Sequence, residues 1–168
     1  MLITEKIGNL KTSPVSNKKI DALHIEWYET NKRVLHKQTK SGINITLKFL
    51  NENPNFKDED ILWQHENLVI AIEIIPAECI VIKIDSIKAA AAISYEIGNR
   101  HVPLFYSENE LLIPYEVPIF NLLEASGFKP KIELRKLADG FKTFVLPHLQ
   151  VAGSDSLFNK INQPAISS

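Results

Sequence analysis

The stretch CIVIKIDSIKAAAAISYEIGNRHVPL, residues 79–104, decides how the second half of the chain folds. Cys79 to Ile84 is almost wholly apolar and short, which suits a strand in the middle of a sheet. Asp85 or Ser86 follows, and a short side-chain oxygen there can accept a free first-turn N–H and start a helix. The alanine-rich run from Ile87 to Ile97 sets Ile87, Ala90, Ala91, Ser94 and Ile97 on one face at helical spacing. Gly98 is the expected stop, because glycine enters the left-handed conformation at little cost. Val102 to Tyr106, a turn at Ser107-Glu108-Asn109, and Leu111 to Tyr115 read as a hairpin. Pro118 to Ser126 reads as a second helix, with Ile119, Leu122 and Leu123 inward and Gly127 ending it. Ile132 to Leu137 closes the unit as a strand. The order is β-α-β-β-α-β, the ferredoxin-like split unit.

Upstream, the pattern changes. Ile25–Tyr28, Val34–Thr39, Asn44–Leu50, Ile61–Gln64 and Leu68–Ile72 are short strand-like runs, and two of the first three alternate between apolar and polar residues. Ser41-Gly42 and Asn51 to Asn55 punctuate them as turns, and residues 11–19 read as a loop. Pro76 lacks an amide donor and fits poorly inside a central strand, so a boundary is expected there. The fold class is α+β: a small antiparallel β-domain over residues 1–75, a ferredoxin-like domain over 76–148, and a flexible polar tail over 149–168.

Composition narrows the function classes. Hydrophobic residues are 45% and charged residues 23%, which is the balance of a folded chain rather than a disordered one. The 19 basic and 20 acidic residues leave a net charge of −1, which argues against a surface built to neutralise nucleic-acid phosphates. One cysteine, Cys79, cannot form an internal disulfide, so a reducing, cytoplasmic setting is expected. No apolar run is long enough for a membrane helix, and the N-terminus has no signal-peptide pattern.

Five histidines are the main candidates for chemistry: His24, His36, His65, His101 and His148. HExxH, CxxC, P-loop and GxSxG motifs are all missing, which weighs against an enzyme. His101 lies on the short turn of Gly98-Asn99-Arg100-His101-Val102-Pro103-Leu104, held between a helix and a strand. An imidazole presented on rigid elements makes a good metal ligand, since little order must be gained on binding. A turn histidine that is merely solvated is the plainer reading.

GNRHVPL after an alanine-rich helix resembles the signature of the UreE family, the urease accessory nickel chaperones. Lys57 to Leu62 is similar to the family's acidic turn, and Leu111–Tyr115 and Leu122–Phe128 are similar to its second hairpin strand and following helix. The resemblance implies a homodimeric Ni(II) carrier, not an enzyme. It implies a β-domain that binds partner proteins and a metal-binding domain in which His101 from both chains shares the ion. It also implies delivery to the urease apoprotein assembly through the urease accessory GTPase. In several relatives a C-terminal histidine joins the site, which makes His148 the second expected ligand. This chain lacks the histidine-rich tail of many relatives, so about one ion per dimer is expected, on ligand count.

Coordination chemistry fits that picture. Imidazole nitrogen suits Ni(II) and equally Zn(II) or Cu(II). A two-fold axis turns one histidine into two, and water in the remaining positions makes an open, labile site. His24, His36 and His65 read as ordinary strand or surface histidines, although a peripheral site joining His24 and His36 is conceivable. Cys79 reads as buried and inert. Two competing classes are a metal-independent protein–protein adaptor and an RNA-binding ferredoxin-like module. The second is disfavoured because CIVIKI and IELRKL carry no aromatic residue to stack on bases.

Overall fold

The computed structural model describes residues 1–51, 53–138 and 140. The first half forms β1 (Leu2–Ile3), β2 (Gly8–Asn9), β3 (Lys19–Ile25), β4 (Val34–Gln38), β5 (Asn44–Lys48), β6 (Asp60–His65) and β7 (Leu68–Ile74). They build two sheets, in the orders β1-β5-β4 and β2-β6-β7-β3. The β4–β5 and β6–β7 pairings are antiparallel, as alternation predicts. Two pairings that alternation does not foresee, β1 with β5 and β3 with β7, run parallel. Ile45 and Leu47 point inward while Asn44 and Lys48 face water. They meet Leu23, Ile25, Ile70, Ile72 and Ile74 in one buried cluster, which Phe49 and Phe56 close edge to face at 5.1 Å.

Here the sequence reading needs correction in two places. Lys19–Ile25 is a strand that starts where a loop was expected, and Trp27–Glu29 is a 3₁₀ turn where a strand was expected. The strand is hidden by Asp21, which occupies an inward position that alternation reserves for an apolar residue. Asp21 is nonetheless buried. Its carboxylate accepts hydrogen bonds from the Ser41 hydroxyl and from the Ser41 amide, the latter at 2.9 Å. It thereby fastens the β4–β5 turn to β3, alongside the Lys40 amide bonded to the Ala22 carbonyl at 2.8 Å. The 3₁₀ turn is held by Glu29, whose carboxylate accepts from the Glu26 amide at 3.0 Å.

The second half forms β8 (Ala77–Lys83), α1 (Ile87–Asn99), β9 (Phe105–Ser107), β10 (Glu110–Pro114), α2 (Val117–Ala125) and β11 (Lys131–Arg135). Its sheet runs β11-β8-β10-β9 with every pairing antiparallel. That is the ferredoxin-like order, with the first and third strands of the unit at its centre. Ile80, Ile82, Leu111 and Ile113 pack on one face against Ile93 and Ile97 of α1 and Ile119 and Leu123 of α2. The opposite face carries Cys79, Val81, Phe105 and Leu112 and is covered by Leu137 and by Trp27 of the first half. Trp27 meets the Phe105 ring edge-on at 5.7 Å.

The α1 helix also departs from the sequence reading. Ser86 is the cap, accepting from the Ala89 amide at 3.2 Å. The side chains buried in the core are Ile93 and Ile97, whereas Ile87 is 90% exposed. Among the described residues no helix is long and apolar enough to cross a membrane.

Burial pushes the Asp21 carboxyl up, but hydrogen bonds from Ser41 and Thr39 and the nearby charge of Lys19 outweigh it, so its pKa lies below the ordinary carboxylate value. A depressed carboxylate stabilises the fold above its unfolded pKa, and that contribution is lost as pH falls through the folded one. Asp21→Asn should therefore cost about 1–2 kcal/mol in urea unfolding at neutral pH. The gap from wild type should shrink as pH is lowered below about 4.

Candidate metal centre

α1 ends two residues later than glycine punctuation predicts, at Asn99 rather than Ile97. Gly98 stays inside the helix, Arg100 is the cap residue, and His101 takes the left-handed conformation with φ of 56°. The His101 amide donates to the Gly98 carbonyl at 3.0 Å, and the Val102 amide donates to the Ile97 carbonyl at 3.3 Å. These two bonds, one nested in the other, define a Schellman motif. Val102 adds its apolar partner contact by packing into the cluster that contains Ile97. His101 thus occupies the position that most often belongs to glycine.

α2 provides an internal comparison. Gly127 has φ of 83°, its amide donates to the Glu124 carbonyl at 2.9 Å, and the Phe128 amide donates to the Leu123 carbonyl at 3.1 Å. Phe128 packs into the same core cluster. The two helices close with the same motif, one using glycine and the other histidine. A non-glycine residue in this conformation is strained by roughly 1 kcal/mol or more. Strain held at an exposed polar residue by a well-bonded backbone directs attention to a task for its side chain. Asn99, Arg100 and His101 are all exposed, and the fixed φ sets where the imidazole leaves the backbone.

The other histidines are distributed elsewhere. His24 on β3 pairs with Glu73 of β7 at 2.9 Å. His36 on β4 shares a hydrogen bond of 3.1 Å with the Thr46 hydroxyl on β5, its neighbour in the same sheet. Each of the two is therefore engaged within its own sheet. The His65 ring stacks on Trp63 at 5.8 Å. Cys79 is buried, its thiol reaches the Glu133 carbonyl at 3.4 Å, and burial pushes its pKa up, so it stays a protonated core residue. His148 lies outside the described residues. Among the described residues of one chain, no three His, Cys, Asp or Glu side chains gather where they could hold a metal ion. Any ion on His101 therefore draws further ligands from water, from residues beyond those described, or from another chain.

The comparison with protein families resolves what kind of protein carries this turn. The family model "UreE urease accessory protein, N-terminal domain" matches residues 3–75, and its C-terminal counterpart matches residues 77–141. This chain belongs to the UreE family of urease accessory proteins. A urease accessory protein UreE of Flavobacterium johnsoniae is 38% identical over 161 residues, covering 96% of this chain and 97% of that protein. The homologue from Actinobacillus pleuropneumoniae is 38% identical across 83% of this chain and 75% of its own length. The one from Helicobacter acinonychis is 35% identical across 88% and 89%. As a UreE the protein is an accessory factor and not an enzyme.

Sequence reasoning singled out His101 as a candidate ligand but misjudged its backbone. The signal available was the lack of any glycine after Gly98 before Val102, together with an apolar residue directly after the histidine. Left-handed strain at residue 101 means that His101→Gly should melt at or above the wild-type temperature and His101→Ala below it. The two should differ by about 1 kcal/mol. Gly127→Ala should cost a similar amount in the same thermal unfolding experiment.

Proposed function

We propose that this UreE is a cytoplasmic nickel metallochaperone that carries Ni(II) to the urease apoprotein during assembly of its metal centre. The observation that carries this reading is His101, an exposed imidazole fixed by a Schellman turn at a conformation glycine would fill more cheaply. In this proposal two chains form a homodimer and each contributes His101 to one ion. An isologous interface supplies the second imidazole that one chain lacks. The outer face of α1 supports such pairing, because Ile87, Ala91 and Tyr95 form an exposed stripe along the helix that ends at His101, with Ile87 90% and Tyr95 69% exposed.

His148 is the proposed second ligand from each chain. Gly140 forms an antiparallel bridge with Phe105, so at Gly140 the chain is heading toward the His101 end of β9. His148 lies eight positions beyond Gly140 in the sequence. Extended, they reach about 26 Å, against roughly 13 Å for the four residues from Phe105 back to His101. The tether is ample. In the proposed division of labour, residues 1–75 dock the urease accessory GTPase and the apoprotein complex, and 76–148 hold the metal. Few protein ligands and exchangeable water suit a carrier, which must load the ion and release it. Zn(II) and Cu(II) would compete for the same nitrogen donors. The sheet face that an RNA-binding relative would use is covered by Trp27 and Leu137, which leaves no open stacking platform there.

Titration calorimetry with nickel(II) sulfate tests the reading. Wild type should bind about one ion per two chains, and His101→Ala should lose most of that heat while keeping its fold. Because a metal-binding imidazole nitrogen must be unprotonated, wild-type affinity should fall as pH is lowered. Equal affinity in wild type and His101→Ala would refute the assignment.

A further inference from the structure

β11 stands at the end of the ferredoxin-like sheet, and among the described residues no strand pairs with its outer side. Ile132 and Leu134 on this strand are 48% and 66% exposed. Their backbone groups face the open side too. The Tyr115 amide donates to the Glu78 carbonyl at 3.1 Å and the Ile84 amide to the Asn109 carbonyl at 2.8 Å, so the even-numbered positions along β8 address β10. Cys79 and Val81 then address β11, where their register partners are Glu133 and Lys131. The N–H and C=O groups of Ile132 and Leu134 therefore point away from the sheet. Such an edge is a template for one more strand.

We propose that the open edge of β11 docks a second copy of this chain, its β11 paired antiparallel about a two-fold axis at Leu134, so that two sheets run on as one. Charge selects this occupant and this register. Lys131, Glu133 and Arg135 lie on the sheet face opposite to that of Ile132 and Leu134. Laying Ile132 on Leu134 of the second copy would set Glu133 against Glu133 and Lys131 against Arg135, like on like, which is destabilising. Laying Ile132 on Ile132 would bring Pro130, which has no N–H to give, against Leu134, and Lys129 against Arg135. Laying Leu134 on Leu134 sets Glu133 against Arg135 on both sides of the axis and joins the two leucines on the other face. Within one chain Arg135 bonds Glu133 at 2.9 Å and Glu110 at 3.0 Å. The two-fold register therefore extends that pair into a ring of alternating sign. The charges choose the register, while the strand pairing and the leucines supply the affinity.

Sedimentation of the full chain without metal tests this, since the pairing uses neither His101 nor the exposed stripe of α1. Wild type should gain mass with concentration and reach about twice the mass of Leu134→Lys, which puts like charges at the axis. Leu134 is exposed, so the circular dichroism and melting of that variant should match wild type. Oxidative cross-linking reads the register. Leu134→Cys should form a covalent dimer, because the two sulfurs meet at the axis. Ile132→Cys should not, because residue 132 faces Lys136 of the second copy, which holds the two sulfurs about 13 Å apart. Wild type should not cross-link either, as its Cys79 is buried. Equal masses for wild type and folded Leu134→Lys at every concentration overturn the proposal and leave the edge to an extended segment of a different protein. Cross-linking of Ile132→Cys in place of Leu134→Cys overturns it as well.

Discussion

The amide of Val102 reaching back to the carbonyl of Ile97, with the amide of His101 nested inside it on Gly98, is the constraint on which the site depends. Those two bonds force residue 101 into a left-handed conformation and hold it there against its own preference. Val102 anchors the arrangement because its side chain enters the same cluster as Ile97. The imidazole is thus mounted on a backbone that the core itself fixes, while the ring stays in water. Loading a metal then requires little further ordering.

The ferredoxin-like unit explains how that mount is maintained. Its central strands β8 and β10 supply Ile80, Ile82, Leu111 and Ile113 as a floor, and both helices close against it through Ile93, Ile97, Ile119 and Leu123. Both helices end in the same turn, one with glycine at the left-handed position and the other with an exposed histidine. The first half is joined to this unit through Trp27 on Phe105 and Lys136 on Asp58, so the strand that leads away from His101 also touches the β-rich half.

Much of this was legible in the residues. The βαββαβ order could be read from period and punctuation, since each apolar run had a length and spacing suited to one element. Strands such as Asn44–Lys48 were legible because one face is buried and the other wet. Lys19–Ile25 was not, because the inward Asp21 is satisfied by Ser41, a residue distant in sequence, and a polar residue at that position breaks the period. Trp27–Glu29 misled because an aromatic pair looks like a strand, whereas the Glu29 carboxylate bonds the Glu26 amide and curls the chain. The stop of α1 misled for a related reason: Gly98 has the residue type of a terminator, but the tertiary contact of Val102 moves the turn to His101.

The central claim is that one ion is shared by the His101 imidazoles of two chains. Mixed dimers test it most directly, formed by co-refolding wild-type chains with His101→Ala chains at varied ratios and assayed for nickel retained after dialysis. If both rings are required, retained nickel should follow the square of the wild-type fraction. A retention that rises in simple proportion to that fraction would contradict the account, because each chain would then be holding its ion alone.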